Sequence, residues 1–201
     1  IARRATGYKR LDLILRNLAR LHSIASASGG LQLVFAGKAH PRDGTGHEVI
    51  KRINEFSRSL SSSVRVVFLP GYDMDLAACL VSGADIWINT PIAPLEASGT
   101  SGMKAALNGV PSLSVLDGWW CEGCIEGVTG WAISRGEEGG GDEADERDSS
   151  SLYDKLENNI LPLYLGSKSA WAQVGLHSIA INGTYFTTHR MMREYNERAY
   201  R

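Results

Sequence analysis

The stretch Pro94-Leu-Glu-Ala-Ser-Gly-Thr-Ser-Gly-Met-Lys-Ala-Ala-Leu-Asn-Gly109 concentrates groups that can do chemistry. A carboxylate, Glu96, is followed by small and hydroxylated residues from Ala97 to Gly102, and then by one amine, Lys104. Met103, Ala106 and Leu107 recur at helical spacing, Gly109 is placed to end the helix, and Ser98 or Thr100 is the expected cap. A turn rich in Gly, Ser and Thr that opens a helix presents unpaired backbone N–H groups, with the positive end of the helix dipole behind them. Ser98, Gly99, Thr100, Ser101 and Gly102 therefore form a candidate cradle for a phosphate or a sugar. Lys104 is expected in the first turn or so, close to whatever the cradle binds. Plain strand–helix turns share the pattern, with the lysine simply solvated.

A second cluster lies at the start of the chain. Arg3, Arg4, Lys9 and Arg10 put four cations within ten residues, around Thr6-Gly7. Leu11, Ile14, Leu15, Leu18 and Leu21 then predict an amphipathic helix. Cations at a helix N-terminus oppose the dipole, so a bound anion would relieve the conflict; a solvated basic helix start is the alternative.

These groups need a scaffold, and the pattern supplies one. Strands are predicted at 31–36, 63–69, 85–89, 111–115 and 127–133, with helices between them. That alternation implies an α/β fold with a doubly wound, Rossmann-like parallel sheet. The turns carrying Arg4 and Lys9, Gly37-Lys38, Tyr72, Ser98–Gly102 and Asp117 would then surface along one sheet edge, at the carboxyl ends of the strands where such folds bind ligands. Residues 23–30 read as a small-residue turn. Thr45-Gly-His-Glu48 has the form of a capping box, and Asp73 is placed to cap a short helix closed by Gly83. Residues 135–150 mix glycines with carboxylates and predict a mobile acidic loop. Ser149–Ser151 is then expected to cap a helix bearing Leu152, Leu156, Ile160 and Leu163, with further helices around Trp171–Ile179 and 186–200.

The chain has 201 residues, enough for one sizeable domain, read here as a single unit over 1–201. Its first residue is Ile1 and its first ten already look functional, which suggests a fragment lacking an upstream partner domain. A formal net charge of −1 gives no electrostatic case for nucleic acid or a membrane surface. No apolar run approaches a membrane span. Three cysteines, an odd count, argue against a secreted disulfide framework. Cys121-Glu-Gly-Cys124 has redox or zinc spacing, but no second Cys/His pair accompanies it and Trp119-Trp120 beside it suggests packing. No metal site is expected, and the inferred location is cytoplasmic.

Glu96-Ala-Ser-Gly-Thr100 with Met103-Lys104 and Leu107-Asn108-Gly109 resembles the pyridoxal-phosphate motif of the glycogen and α-glucan phosphorylases. The resemblance runs from Arg3 to about Trp131, more loosely beyond, and implies the C-terminal half of a two-domain GT-B fold. It implies that Lys104 carries pyridoxal 5′-phosphate, with Arg3, Tyr72, Thr100, Ser101 and Gly102 also at the cofactor. Tyr72 stands 32 residues before Lys104, as a cofactor-phosphate tyrosine does in that family. Arg4 and Lys9 match the residues for the substrate phosphate; Arg3 stands where the family has a lysine, which keeps charge but alters reach. Glu96, with Ser98 and Gly99, would hold glucose hydroxyls, and Lys38 lies in a similar Gly-Lys-Ala segment. Asp73 replaces a basic residue found in many of these enzymes.

The resemblance thus implies phosphorolysis of terminal α-1,4-glucosidic bonds of an α-1,4-glucan with inorganic phosphate, giving glucose 1-phosphate. The partners would be the missing N-terminal domain of the same enzyme and, left open, further copies of it. The fragment alone is expected to be inactive. Two rivals remain at this stage: a glycogen-synthase-like nucleotide-sugar glycosyltransferase and a non-catalytic glucan-binding module. The first usually places a second glutamate eight residues after the first, where this chain has Lys104.

Overall fold

The computed structural model describes residues 1–59, 63–134 and 140–200. Two 3-10 turns, Gly7–Lys9 and Leu13–Leu15, lead into α1 (Leu18–Ala27), β1 (Leu31–Ala36), α2 (Gly44–Ser59) and β2 (Val64–Leu69). The chain continues through α3 (Met74–Gly83), β3 (Trp87–Asn89), α4 (Thr100–Leu107), β4 (Ser112–Ser114), α5 (Trp120–Gly123) and β5 (Gly130–Ala132). A helical C-terminal portion follows: α6 (Asp142–Lys155), α7 (Leu161–Gly166), α8 (Lys168–His177) and α9 (Thr188–Arg198), with π-helical stretches at Leu156–Ile160 and Ser178–Gly183.

All strand pairs among the described residues are parallel, as the alternating pattern requires. They fall into two sheets, β1-β2 and β3-β4-β5, rather than one continuous ladder. Leu31 pairs with Val64, Trp87 with Ser112, and Ser112 with Gly130. The N-terminal segment ties the two sheets together. Ala2 bridges Ala36 at the end of β1, and Tyr8 accepts the amide of Ile92 (2.8 Å) beyond the end of β3. Leu33, Phe35, Val64 and Val66 share one buried cluster with Ile88, Leu113, Val115 and Trp131, so both sheets face a common core.

The basic segment starts as extended chain lying against β1. Arg3 N–H donates to Ala36 (3.0 Å) and Ala5 N–H to Lys38 (3.0 Å). Two glycines allow this approach: a Cβ on Gly37 would overlap the Arg3 carbonyl oxygen, and one on Gly46 the Ala5 carbonyl oxygen.

Several local expectations are corrected. No helix spans Leu11 to Leu21. Leu11, Ile14 and Leu15 are buried in and beside the 3-10 turns, and α1 begins at Leu18 because the Asn17 side chain caps Arg20 N–H (2.9 Å). The supposed turn at 23–30 is mostly the second half of α1, held in place by burial of Ile24 and Ala25. Thr45 is not a cap; Asp43 takes that role, accepting Gly46 N–H at 2.9 Å. Asp73 does cap α3, through Leu76 N–H at 2.9 Å.

The acidic stretch gives the largest difference. Residues 135–139 lie outside the described residues, but 142–150 are the first part of α6, and Ser149–Ser151 lies inside that helix, not at its cap. Local composition favoured a loop because it contains no apolar face. Arginines elsewhere supply the missing partners: Arg10 pairs with Asp145 (2.7 Å) and Asp148 (2.6 Å), and Arg16 with Asp142 (2.6 Å) and Glu146 (3.0 Å). Carboxylates in the first turn also suit the helix dipole.

Candidate active site

Gly99 precedes α4 at φ 87°, a left-handed conformation that turns the chain sharply after Ser98. Neither Ser98 nor Thr100 caps the helix, and no side chain does, so its opening amides are left to other acceptors. The far end stops as predicted. Gly109, at φ 74°, donates to Ala106 (3.0 Å) while Val110 donates to Ala105 (3.0 Å), a Schellman termination. Because α4 runs only from Thr100 to Leu107, Lys104 sits in its last turn, not its first. The Lys104 side chain is exposed.

Glu96 is the centre of charge. Its Oε2 accepts from both Arg3 Nη2 and Lys9 Nζ. All three side chains are nearly buried, at 6 % exposure for Arg3 and 11 % for Glu96 and Lys9. One carboxylate oxygen thus serves two cations, and the buried carboxylate of Asp117 is near enough to act on Arg3 as well. Lys9 also lies over the Tyr8 ring, 4.8 Å from its centroid. Burial drives the Arg3 pKa below its ordinary value and Glu96 partly offsets this; an arginine remains charged regardless. Arg3 Nε and Nη1 are buried with no hydrogen-bond partner among the described residues. Two unsatisfied donors on a buried cation are costly unless an anion meets them.

The other predicted residues divide. Tyr72 packs at the cluster of Ala2, Ala36, Trp87, Ala105 and Val110, so it stands between the basic segment and α4. Burial raises its phenol pKa, which Arg3 pulls back somewhat, so it stays a neutral donor. Ser101 Oγ accepts from Trp87 Nε1 at 3.3 Å, which ties α4 to β3. Gly102 N–H is used internally, by Gly99 carbonyl oxygen at 3.1 Å. Thr100, Arg4 and Lys38 are exposed, and neither cation is paired among the described residues. His40 caps its own turn, accepting Arg42 N–H at 3.1 Å. Arg10 belongs elsewhere: it binds the carbonyls of Thr90 (2.9 Å) and Pro91 (2.8 Å) together with the carboxylates of α6.

Two further contributors come from the turn after β4, where the sequence placed Asp117 on the ligand-binding edge but assigned no role to it or to Trp119. Asp117, buried beyond β4, accepts Glu96 N–H at 2.8 Å and Gly118 N–H at 2.8 Å. Trp119 N–H donates to Ser98 carbonyl oxygen at 2.8 Å. The Asp117-Gly118 turn at the carboxyl end of a predicted strand marked the position of Asp117, whereas Trp119 was read only as packing.

The donor set fits an anionic cofactor with an aldehyde. Arg3 offers buried unsatisfied N–H groups, α4 an uncapped N-terminus, Tyr72 a neutral hydroxyl, and Lys104 an accessible amine. Cys121 and Cys124 are free thiols. Among the described residues no group of three or more His, Cys, Asp or Glu is arranged to hold a metal ion, and no helix is long and apolar enough to cross a membrane.

Fold and site together define an α/β domain that gathers cations and a carboxylate at the carboxyl ends of parallel strands, beside a Gly-rich helix start. The chain belongs to the carbohydrate phosphorylase family, which it matches over residues 2–126. It is 43 % identical over 203 residues to the maltodextrin phosphorylase of Thermococcus litoralis, covering 99 % of this chain and 24 % of that protein. It is 42 % identical over 205 residues to the glycogen phosphorylase of Aquifex aeolicus, covering 99 % and 29 % respectively. A glycogen phosphorylase of Mycobacterium tuberculosis is 39 % identical over 207 residues, covering 99 % and 24 %. The chain thus spans between about a quarter and three tenths of the length of these relatives.

Proposed function

We propose that this chain is the C-terminal, Rossmann-like domain of a two-domain GT-B enzyme that cleaves terminal α-1,4-glucosidic bonds of a glucan with inorganic phosphate, releasing glucose 1-phosphate. The observation that carries the reading is Arg3: a buried guanidinium, bound on one side to Glu96, with two donors unsatisfied on the other. Pyridoxal 5′-phosphate, attached at Lys104, would supply an acidic phosphate group able to pass a proton to the substrate phosphate.

Each residue then has a task set by its chemistry. Lys104 is exposed and so open to an aldehyde. Arg3, Tyr72 and the amides at Thr100 and Ser101 would hold the cofactor phosphate. Lys9 and Arg4 would bind inorganic phosphate and offset charge developing on it. Glu96 would orient glucose hydroxyls, with backbone N–H groups of Ser98 and Gly99 beside it. Its pairing with Arg3 and Lys9 fixes the carboxylate while it does so. Lys38, exposed at the end of β1, would meet the anionic substrate on the open side.

Family membership supports this reading over the nucleotide-sugar transferase and the non-catalytic module. The short coverage of the relatives supports a split site, in which the rest of the polypeptide completes the cleft. Three free cysteines are in keeping with a reducing, cytoplasmic setting. The test is borohydride reduction of the full-length protein followed by peptide mass spectrometry. A pyridoxyl group on the Lys104 peptide is the expected result; an unmodified Lys104 in protein saturated with the vitamin overturns the reading. Turnover by the 201-residue chain alone would overturn the split site.

A further inference from the structure

The turn that opens α4 packs closely against the side chain of Trp119. Three glycines make room for the indole of Trp119. A Cβ on Gly99 would lie 3.2 Å from its Cδ1, one on Gly102 2.8 Å from its Nε1, and one on Gly123 2.7 Å from its Cζ3. Gly99 and Gly102 are the cap and third residue of α4, so the indole lies across the first turn of that helix. The Trp119 backbone is fixed as well, by its 2.8 Å bond to Ser98 carbonyl oxygen. Behind the indole, Trp120 packs at 5.0 Å and Phe186 meets it edge-on at 5.1 Å. The ring is buried, at 5 % exposure, and cannot swing away without opening that aromatic cluster.

We infer that Trp119 is a positioning residue for the proposed reaction. It sets the separation between the α4 opening, with Ser98, Gly99 and Ser101, and the Glu96–Arg3–Lys9 cluster. The inference rests on the function proposed above. Its physical basis is that packed aromatic contacts do not deform continuously, so a smaller ring lets the turn relax toward Trp119 and away from the cations. A shift of about 1 Å in such a group costs up to about a hundredfold in turnover.

The test uses the full-length enzyme carrying Trp119→Leu, with Trp131→Leu as control. Trp131 is also buried, at 2 % exposure, but it stacks on Trp171 in the main core, outside the cluster that holds the Trp119 indole, and is not among the atoms crowding Gly99 or Gly102. Thermal stability, affinity of the apo-protein for pyridoxal phosphate by absorbance, and KM for inorganic phosphate against kcat are measured for each. Trp119→Leu should weaken cofactor affinity and raise KM for phosphate by about tenfold or more, whereas Trp131→Leu should lower stability with both constants near wild type. Gly102→Ala supplies the reciprocal check: alone it collides with the indole, and Trp119→Leu in the same chain should restore part of the loss. Equal effects of the two tryptophan variants, or no rescue, would overturn the inference and leave the proposed function standing. A wild-type protein that takes up no cofactor and releases no glucose 1-phosphate would overturn both.

Discussion

Asp117 holds Glu96 by its backbone: one carboxylate oxygen accepts the Glu96 amide at 2.8 Å, and the other accepts Gly118 N–H at 2.8 Å. An acid that touches neither Arg3 nor Lys9 directly thereby fixes the acid that binds both. Removing it should be felt at the site and in the fold. Asp117→Ala forfeits two charge-assisted bonds at a buried position and should destabilise by about 2–4 kcal/mol. Asp117→Asn retains one good acceptor and should lose less. Denaturant titration of the full-length protein, alongside kcat/KM for phosphorolysis, checks the order wild type, Asn, Ala; an Ala variant as stable and active as wild type contradicts it.

Gly118 should be as intolerant as its neighbour. A Cβ there would stand 2.6 Å from Ser98 carbonyl oxygen and 3.0 Å from Glu96 carbonyl oxygen, at a φ of +55°. Gly71 has a similarly positive φ, +74°, with nothing within 4 Å. Gly71→Ala is therefore expected to cost only the backbone penalty of about 1–2 kcal/mol. Gly118→Ala should cost more and reduce kcat/KM by at least about tenfold, because the 96–98 turn must move. Equal melting temperatures for the two variants would rule out the crowding.

Arg10 is a fold residue, not a ligand residue. Its guanidinium meets two carbonyls and two carboxylates, and Asp148 beneath it has only 7 % of its side chain exposed. Arg10→Met leaves Asp148 without its main counter-charge and should destabilise by about 3–5 kcal/mol. Pairing it with Asp148→Leu should recover much of the loss. Urea unfolding of the single and double variants measures the difference; a double variant worse than the sum of the singles would show the arginine bound chiefly by the carbonyls.

The thiols should differ in reactivity. Burial, with Glu126 nearby, pushes the Cys124 thiol from its ordinary 9.0 up to about 12, and burial with Asp117 raises Cys121. A raised thiol pKa favours the neutral form in the folded state. The associated stability is therefore intact below about pH 9 and is lost as pH climbs toward about 12. At pH 8 Cys124 should be alkylated far more slowly than the exposed Cys79, with no disulfide to Cys121. Mass-spectrometric counting of alkylated cysteines over time checks this; rapid modification of Cys124 would place it in a more open setting.

Strand positions were legible because buried parallel strands are short apolar runs between turn signals, as at Leu31–Ala36 and Val64–Leu69. The Gly109 stop and the Asp73 cap were legible because each depends on a residue's own backbone or side-chain reach. Residue types marked Glu96, Lys104 and the basic segment with Arg3 and Lys9 as candidates, and the resemblance to the phosphorylase motif supplied their expected roles.

Tertiary structure decided what depends on partners far apart in the chain. Residues 142–155 are helical because Arg10 and Arg16, more than a hundred positions earlier, neutralise their carboxylates. Arg10 and Arg3 look alike in sequence, yet one is spent on α6 and the other keeps two buried donors unsatisfied beside Glu96. The roles of Asp117 and Trp119 follow from the parallel pairing of β3 with β4, which brings the turn after one strand against the turn after the other. Local spacing encodes which groups a segment can offer; only the packing of distant segments determines which of those groups are already satisfied and which remain to bind.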